Sequence, residues 1–222
     1  MLLAVATVAN ADHGSATWDQ ASPSIVSVLP TWPGYEKPGF GAPDGIAPEG
    51  SGVVLQLEDE EQTSSLILTA AHVVDRATQV QIRSDKQQIT DAKILWIDQA
   101  SDLALLKIDI HLPAIRLSET TPNPGSHVCA LGNPFGLGIS MSCGIISGPK
   151  RQNIGFNQIE DFLQTDAAVN PGSSGGALVD GTGDMVGMIS AIFTKDADID
   201  AGVNFAISNT LILERLVHFQ NR

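Results

Sequence analysis

Residues 170–178 read Asn170-Pro171-Gly172-Ser173-Ser174-Gly175-Gly176-Ala177-Leu178. Glycine on both sides of a serine pair lets the backbone turn sharply and come close to a bound molecule, because glycine has no Cβ to obstruct it. The apolar residues that follow, Ala177-Leu178-Val179, read as a strand. A serine hydroxyl at such a turn is a poor nucleophile until a base takes its proton. Two segments upstream supply a base and an acid: LTAAHVVD around His72 and ASDLALLKI around Asp102. Imidazole accepts and returns a proton near neutral pH. Asp102 runs straight into Leu103–Leu106, so it is expected to be partly buried, where an imidazole N–H is a good partner for a carboxylate. His72, Asp102 and Ser174 are therefore the expected catalytic set for acyl transfer, brought by folding into one hydrogen-bonded line. Ser173 competes with Ser174, but adjacent side chains diverge and the following glycines favour Ser174. Asp75, Asp98 and Asp166 are the rival acids, and His13, His111, His127 and His218 lack comparable surroundings.

Around these segments the chain reads as many short strands. SIVSVLP, GSGVVLQL, SLILTAA, TQVQIRS, AKILWID and LALLKID come first, and Pro122-Asn123-Pro124-Gly125 then separates them from HVCALG, SCGIISG, DFLQTDA, GALVD, MVGMISAIF and GVNFAIS. Two sets of about six strands point to an all-β fold of two six-stranded β-barrels with a cleft between them. Val73-Val74 suggests a short helix after His72, and Leu211–Phe219 a C-terminal amphipathic helix. The expected division is an N-terminal segment over about 1–21 and one folded unit over about 22–222. Within that unit the N-terminal barrel takes about 22–110, a linker 111–125, the C-terminal barrel 126–210 and the helix 211–219. Residues 31–50 carry Pro33, Pro38, Pro43 and Pro48 among glycines and read as a loop. Trp32, Tyr35 and Phe40 in that loop suit either the edge of a core or another subunit.

Composition narrows the partners. The 222 residues hold 12 basic and 25 acidic side chains, a net charge of −13, and such a surface repels phosphate backbones; no nucleic acid partner is expected. No segment has the ~18 apolar residues needed to cross a bilayer. Residues 1–11, MLLAVATVANA, end in the small-x-small pattern of a signal-peptide cleavage site but are short and lack a basic leader, so they read either as the tail of a longer signal or as an ordinary apolar start. The export reading is favoured, and an extracytoplasmic protein, periplasmic or secreted, is expected. The two cysteines, Cys129 and Cys143, flank GNPFGLG and suit either one bridge between neighbouring strands or two free thiols. No His-Glu-x-x-His and no Cys/His cluster at ligand spacing is present, so no metal and no cofactor is expected.

The segments TAAHVV, SDLALLKI, GNPFGLG, LQTDAAVNPGSSGGAL and GVNFAISN together resemble the HtrA/Deg family of trypsin-fold serine proteases, from about Ser22 to about Phe219. The chain order His, Asp, Ser is also that of chymotrypsin-type double barrels. The resemblance implies a Ser174-His72-Asp102 triad and an oxyanion hole made by the backbone N–H groups of Gly172 and Ser174. It implies a specificity pocket with Ala168 as floor and Val169 and Ile192 as walls, small and apolar, without a countercharge for Lys or Arg. Polypeptide substrates and a homotrimer are further expectations from the resemblance. Three departures stand out. Family members usually carry PDZ domains after the protease domain and this chain ends at Arg222. Ser173 stands where the family commonly has Asn, and residues 31–50 do not match the family's regulatory loop. Ser173 also stands where digestive zymogens carry the Asp that pairs with a new N-terminus, so that activation route is excluded on charge. The alternative reading, a non-catalytic binding or chaperone module on a protease fold, would require a broken site, and none is visible. Nothing in the residues says which way the peptide at the oxyanion turn faces.

Overall fold

The computed structural model describes residues 13–34, 49–56, 65–192 and 202–221, with only the backbone of His13, Ala191 and Ile192. Among these, every expected β-rich run forms a strand. The first six are β1 (Ile25–Thr31), β2 (Gly50–Leu55), β3 (Ser65–Ala70), β4 (Gln79–Arg83), β5 (Ile89–Asp98) and β6 (Leu103–Ile108). They close into an antiparallel barrel in the order β1-β2-β3-β6-β5-β4. The second six are β7 (His127–Gly132), β8 (Ser140–Arg151), β9 (Phe162–Thr165), β10 (Ala177–Asp180), β11 (Met185–Ile192) and β12 (Asn204–Ser208). They close as β10-β11-β12-β9-β8-β7, so the all-β double barrel expected from the sequence is the fold.

The strands of the second barrel are apolar on both faces, and the core explains why. Val128, Ala130, Ile146, Leu163, Leu178, Val186, Ile189 and Ala206, one or two from each strand, form a cluster with Ala167 and Val169 that fills the lumen. Their neighbours Cys129, Leu131, Ala177, Val179, Phe205 and Ile207 turn outward into a second cluster, shared with the first barrel. A strand buried on both sides reads as a continuous apolar run instead of an alternating one. That shared cluster locks the barrels together, and the cleft between their rims is thereby fixed.

Three helices complete the described chain. The short helix expected after His72 is α2 (Ala71–Val74), which contains that histidine instead of following it. The C-terminal helix is α3 (Asn209–Gln220); the Ser208 hydroxyl accepts the Leu211 N–H at its start, and Leu211, Ile212 and Leu216 are buried in the shared cluster. The third, α1 (His13–Ala21), has no counterpart in the sequence reading; it buries Thr17 and Ala21 and lies against β7 and β10. Cys129 and Cys143 face each other directly across β7 and β8 and are joined as a disulfide, which decides between the two thiol states left open above. Met1–Ala11, Tyr35 and Phe40 lie outside the described residues, and Trp32 is half-buried with the Arg76 guanidinium 5.9 Å from its ring centre.

Candidate active site

Asp102 organises the first half of the site. Its backbone carbonyl accepts the Ala71 N–H at 3.1 Å. Its carboxylate Oδ1 accepts the His72 N–H at 3.0 Å, so the first turn of α2 is folded onto this one residue. The His72 Nδ1 lies 3.0 and 2.9 Å from the two carboxylate oxygens. With that proton donated to Asp102, the lone pair of His72 is left on Nε2, which faces the cleft. Asp102 is buried at 8% exposure and has φ of 59°, a left-handed conformation that Asp and Asn tolerate better than other non-glycine residues.

The turn that puts Asp102 in this conformation is held from both barrels. The Asp98 carboxylate accepts the Ala100 N–H at 3.2 Å, the Ser101 hydroxyl at 2.7 Å and Nε of Arg215, from α3, at 2.7 Å. The Ala100 carbonyl accepts the Ile159 N–H at 2.8 Å. Burial pushes the Asp98 carboxyl up, but the Ser101 and Arg215 bonds, the guanidinium charge and the Ala100 N–H outweigh it and hold it below the usual carboxylate range.

The nucleophile turn joins β9 to β10 and is wedged against the end of β3. The Ser174 carbonyl accepts the Ser51 N–H at 2.8 Å, and a Cβ at Gly175 would stand 2.2 Å from the Ser51 carbonyl oxygen and 2.5 Å from Thr69 Oγ1. Only glycine permits that approach, and with φ of +86° only glycine adopts it without strain. Ser174 Oγ donates to the Ser190 carbonyl at 3.3 Å, and the Ser190 hydroxyl donates to Asp102 Oδ2 at 2.9 Å. His72 and Asp102 are thus joined directly, whereas Ser174 reaches Asp102 through Ser190, and among the described residues His72 Nε2 has no hydrogen-bond partner. The 3.3 Å bond is long for a hydroxyl donor. Ser190 is the member that the sequence reading missed; the only signal is a lone hydroxyl in the apolar run MVGMISAI.

At the turn itself, the Pro171 carbonyl accepts the Phe135 N–H at 2.7 Å. Across a trans peptide the Gly172 N–H then points the other way, and no described residue accepts from the N–H of Gly172 or of Ser174. Ala168 is exposed and lines a cavity of about 80 Å³ with Asn170, Ser173, Met141 and Ser142. Val169 is 4% exposed and packs in the lumen cluster. Ile192 pairs through its backbone with Asn204, and its side chain lies outside the described residues. Beside His72 an open groove of about 520 Å³ is lined by Gln99, Phe156, Asn157 and Ser190. His127 lies within 4.8 Å of both disulfide sulfurs, which as a bonded pair offer no thiolate to a cation. No helix of the described residues is long and apolar enough to cross a membrane.

Residues 50–188 match the model of the trypsin-like peptidase domain. The chain belongs to the trypsin-like peptidase family, in its HtrA/Deg branch. It is 36% identical over 166 residues to the periplasmic serine endoprotease DegP of Escherichia coli strain K12, an alignment covering 73% of this chain and 34% of DegP. Against the serine endoprotease DegS of Salmonella typhimurium strain 14028s it is 35% identical over 176 residues, covering 76% and 48%. The solved structure of the HtrA-type protease AlgW with a decapeptide superposes with a TM-score of 0.75 at 34% identity, covering 94% of this chain and 67% of that one. The chain spans about a third of the length of DegP.

Proposed function

We propose that this chain is a serine endopeptidase that hydrolyses unfolded or damaged polypeptides through an acyl-enzyme. The observation that carries the reading is the convergence on Asp102: one buried carboxylate accepts the His72 ring, the His72 backbone and Ser190, and Ser190 in turn receives Ser174. In the first step Ser174 Oγ bonds to the substrate carbonyl carbon while His72 Nε2 takes the hydroxyl proton. The carbonyl oxygen becomes an oxyanion between the Gly172 and Ser174 N–H groups, where fixed donors stabilise it without reorganising. Collapse breaks the C–N bond, and the imidazolium returns its proton to the leaving amine. Water then repeats the sequence on the acyl ester and frees Ser174. Asp102 holds the tautomer and stabilises the imidazolium throughout. The names of the curated relatives support the endoprotease reading, and with Met1–Ala11 they support a place outside the cytoplasm. A homotrimer belongs to the same reading.

The exposed methyl group of Ala168, in a cavity that it lines with Met141 and Ile189, supports a preference for Val, Ala or Ile before the scissile bond. Val169 packs in the lumen and does not line that cavity. The test is digestion of casein and of a peptide library with and without a serine-reactive phosphonate. The expected result is a single label on Ser174, complete loss of cleavage, and cuts after small apolar residues; label elsewhere, or cuts mainly after Lys and Arg, overturns it.

The pH profile follows from the His72–Asp102 pair. Desolvation opposes the imidazolium, but the Asp102 hydrogen bond and charge, with a smaller contribution from Asp75, outweigh it and raise the His72 pKa above 6.5. The active base is the neutral ring, and a raised pKa means it is lost earlier as pH falls. The acid limb of kcat/KM is therefore expected with its midpoint above 6.5. A midpoint at or below that value in a pH–rate series contradicts the pairing.

A further inference from the structure

The hole that would receive the oxyanion is held from outside its own loop. Gly172 has φ of +95°, and a glycine between two peptide planes rotates at little cost. Both planes are pinned by other segments. The plane before it is fixed by the Phe135 N–H on the Pro171 carbonyl, and the plane after it by the Ser51 hydroxyl, which lies 2.7 Å from the Gly172 carbonyl. The direction of the second bond is not free. Ser51 Oγ also accepts the Asn133 N–H at 2.8 Å, so its own proton goes to Gly172. The backbone of the same residue grips the nucleophile, through its N–H on the Ser174 carbonyl at 2.8 Å, while its carbonyl accepts Thr69 Oγ1 at 2.7 Å. Ser51 is fully buried on β2, in the first barrel, yet it holds the two residues of the second barrel whose N–H groups donate to no described residue.

The support extends one layer further. Asn133 is 0% exposed; its amide donates to Ser27 Oγ at 3.0 Å and to Glu49 Oε2 at 2.8 Å, and its carbonyl oxygen Oδ1 accepts the Gly138 N–H at 2.8 Å. Glu49 is in turn paired with Arg83 of β4. Asn133 therefore sets both the N–H that Ser51 accepts and the turn that carries Phe135.

We infer that Ser51 is a positioning residue for catalysis: its hydroxyl fixes the Gly172 carbonyl and so aims the oxyanion donors across the barrel interface. The inference rests on the reading of Gly172 and Ser174 as those donors. It is tested with Ser51→Ala and Ser51→Cys, the second keeping an atom at the γ position but a larger one, and offering only a weak donor. Thermal melts and the downfield Nδ1 proton of His72 report that fold and acid–base pair are intact. Loss of aim weakens what the hole does for the transition state and leaves ground-state binding alone. For Ser51→Ala, kcat should fall about 10- to 100-fold with KM within about threefold, and affinity for a peptidyl boronate, whose tetrahedral adduct occupies the hole, should fall by the same factor as kcat/KM. Ser51→Cys should fall between Ala and Ser, and it carries the test if Ser51→Ala does not fold. Folded variants with kcat within twofold of the parent, or a fall in kcat with unchanged boronate affinity, overturn the inference while Ser174→Ala stays inactive. Activity retained in Ser174→Ala overturns the underlying reading instead.

Discussion

Ser174→Ala is expected to lower kcat about a millionfold, the cost seen when a triad nucleophile is removed. The neighbouring hydroxyl, Ser173, belongs to a buried residue whose N–H donates to the Asn170 carbonyl at 2.9 Å. The fold should survive, because the Ser174 hydroxyl gives up only the 3.3 Å bond to Ser190. Whatever cleavage remains then comes from the oxyanion donors and binding alone. The measurement is peptide hydrolysis by purified variant with matched melting curves. Cleavage within tenfold of the parent would remove Ser174 from the chemistry.

Asp102→Asn is expected to cost about four orders of magnitude in kcat. Asn tolerates the left-handed backbone that this position requires, so the change isolates the chemistry from the fold. A carboxylate accepts from the His72 N–H, His72 Nδ1 and the Ser190 hydroxyl together; a carboxamide presents an NH₂ to one of them. The ring then turns its proton to Nε2 and cannot receive one from Ser174. The charge and hydrogen bond that raise the His72 pKa vanish as well, so what activity remains should show its acid limb shifted to lower pH. A pH–rate series on both forms reads the two effects at once, and an unshifted limb would mean that Asp102 does not set the base.

The barrels and the His72–Asp102 pair were legible in the residues because they rest on short-range patterns. Each strand is an apolar run between turn formers, and His72 and Asp102 sit in small or apolar settings that leave their polar atoms few other uses. The contacts that were not legible are those set by register and rotamer. Ser51 meets Gly172 across 121 residues, and nothing local to GSGVVL marks the hydroxyl as a donor to another barrel. Ser190 occupies a strand whose register with β12 shifts between Ile189 and Ala191, so the face it shows cannot be counted from the alternation. The turn of the Ser174 side chain toward Ser190 is a rotamer choice with no trace in residue identity. The helix α1, HGSATWDQA, lacks a helical apolar stripe, and packing on β7 and β10 supplies what its sequence does not.

The Asp98–Arg215 bond ties the presentation of Asp102 to a helix residue 117 positions beyond Asp98 along the chain. During synthesis the residues of the first barrel, His72 and Asp102 among them, leave the ribosome first. The serine turn follows about seventy residues after Asp102, and the brace from α3 about forty later still. A partly made chain therefore carries His72 and Asp102 without Ser174, then Ser174 without the α3 brace, and under the proposed function a nascent chain would not cut before that helix has been made.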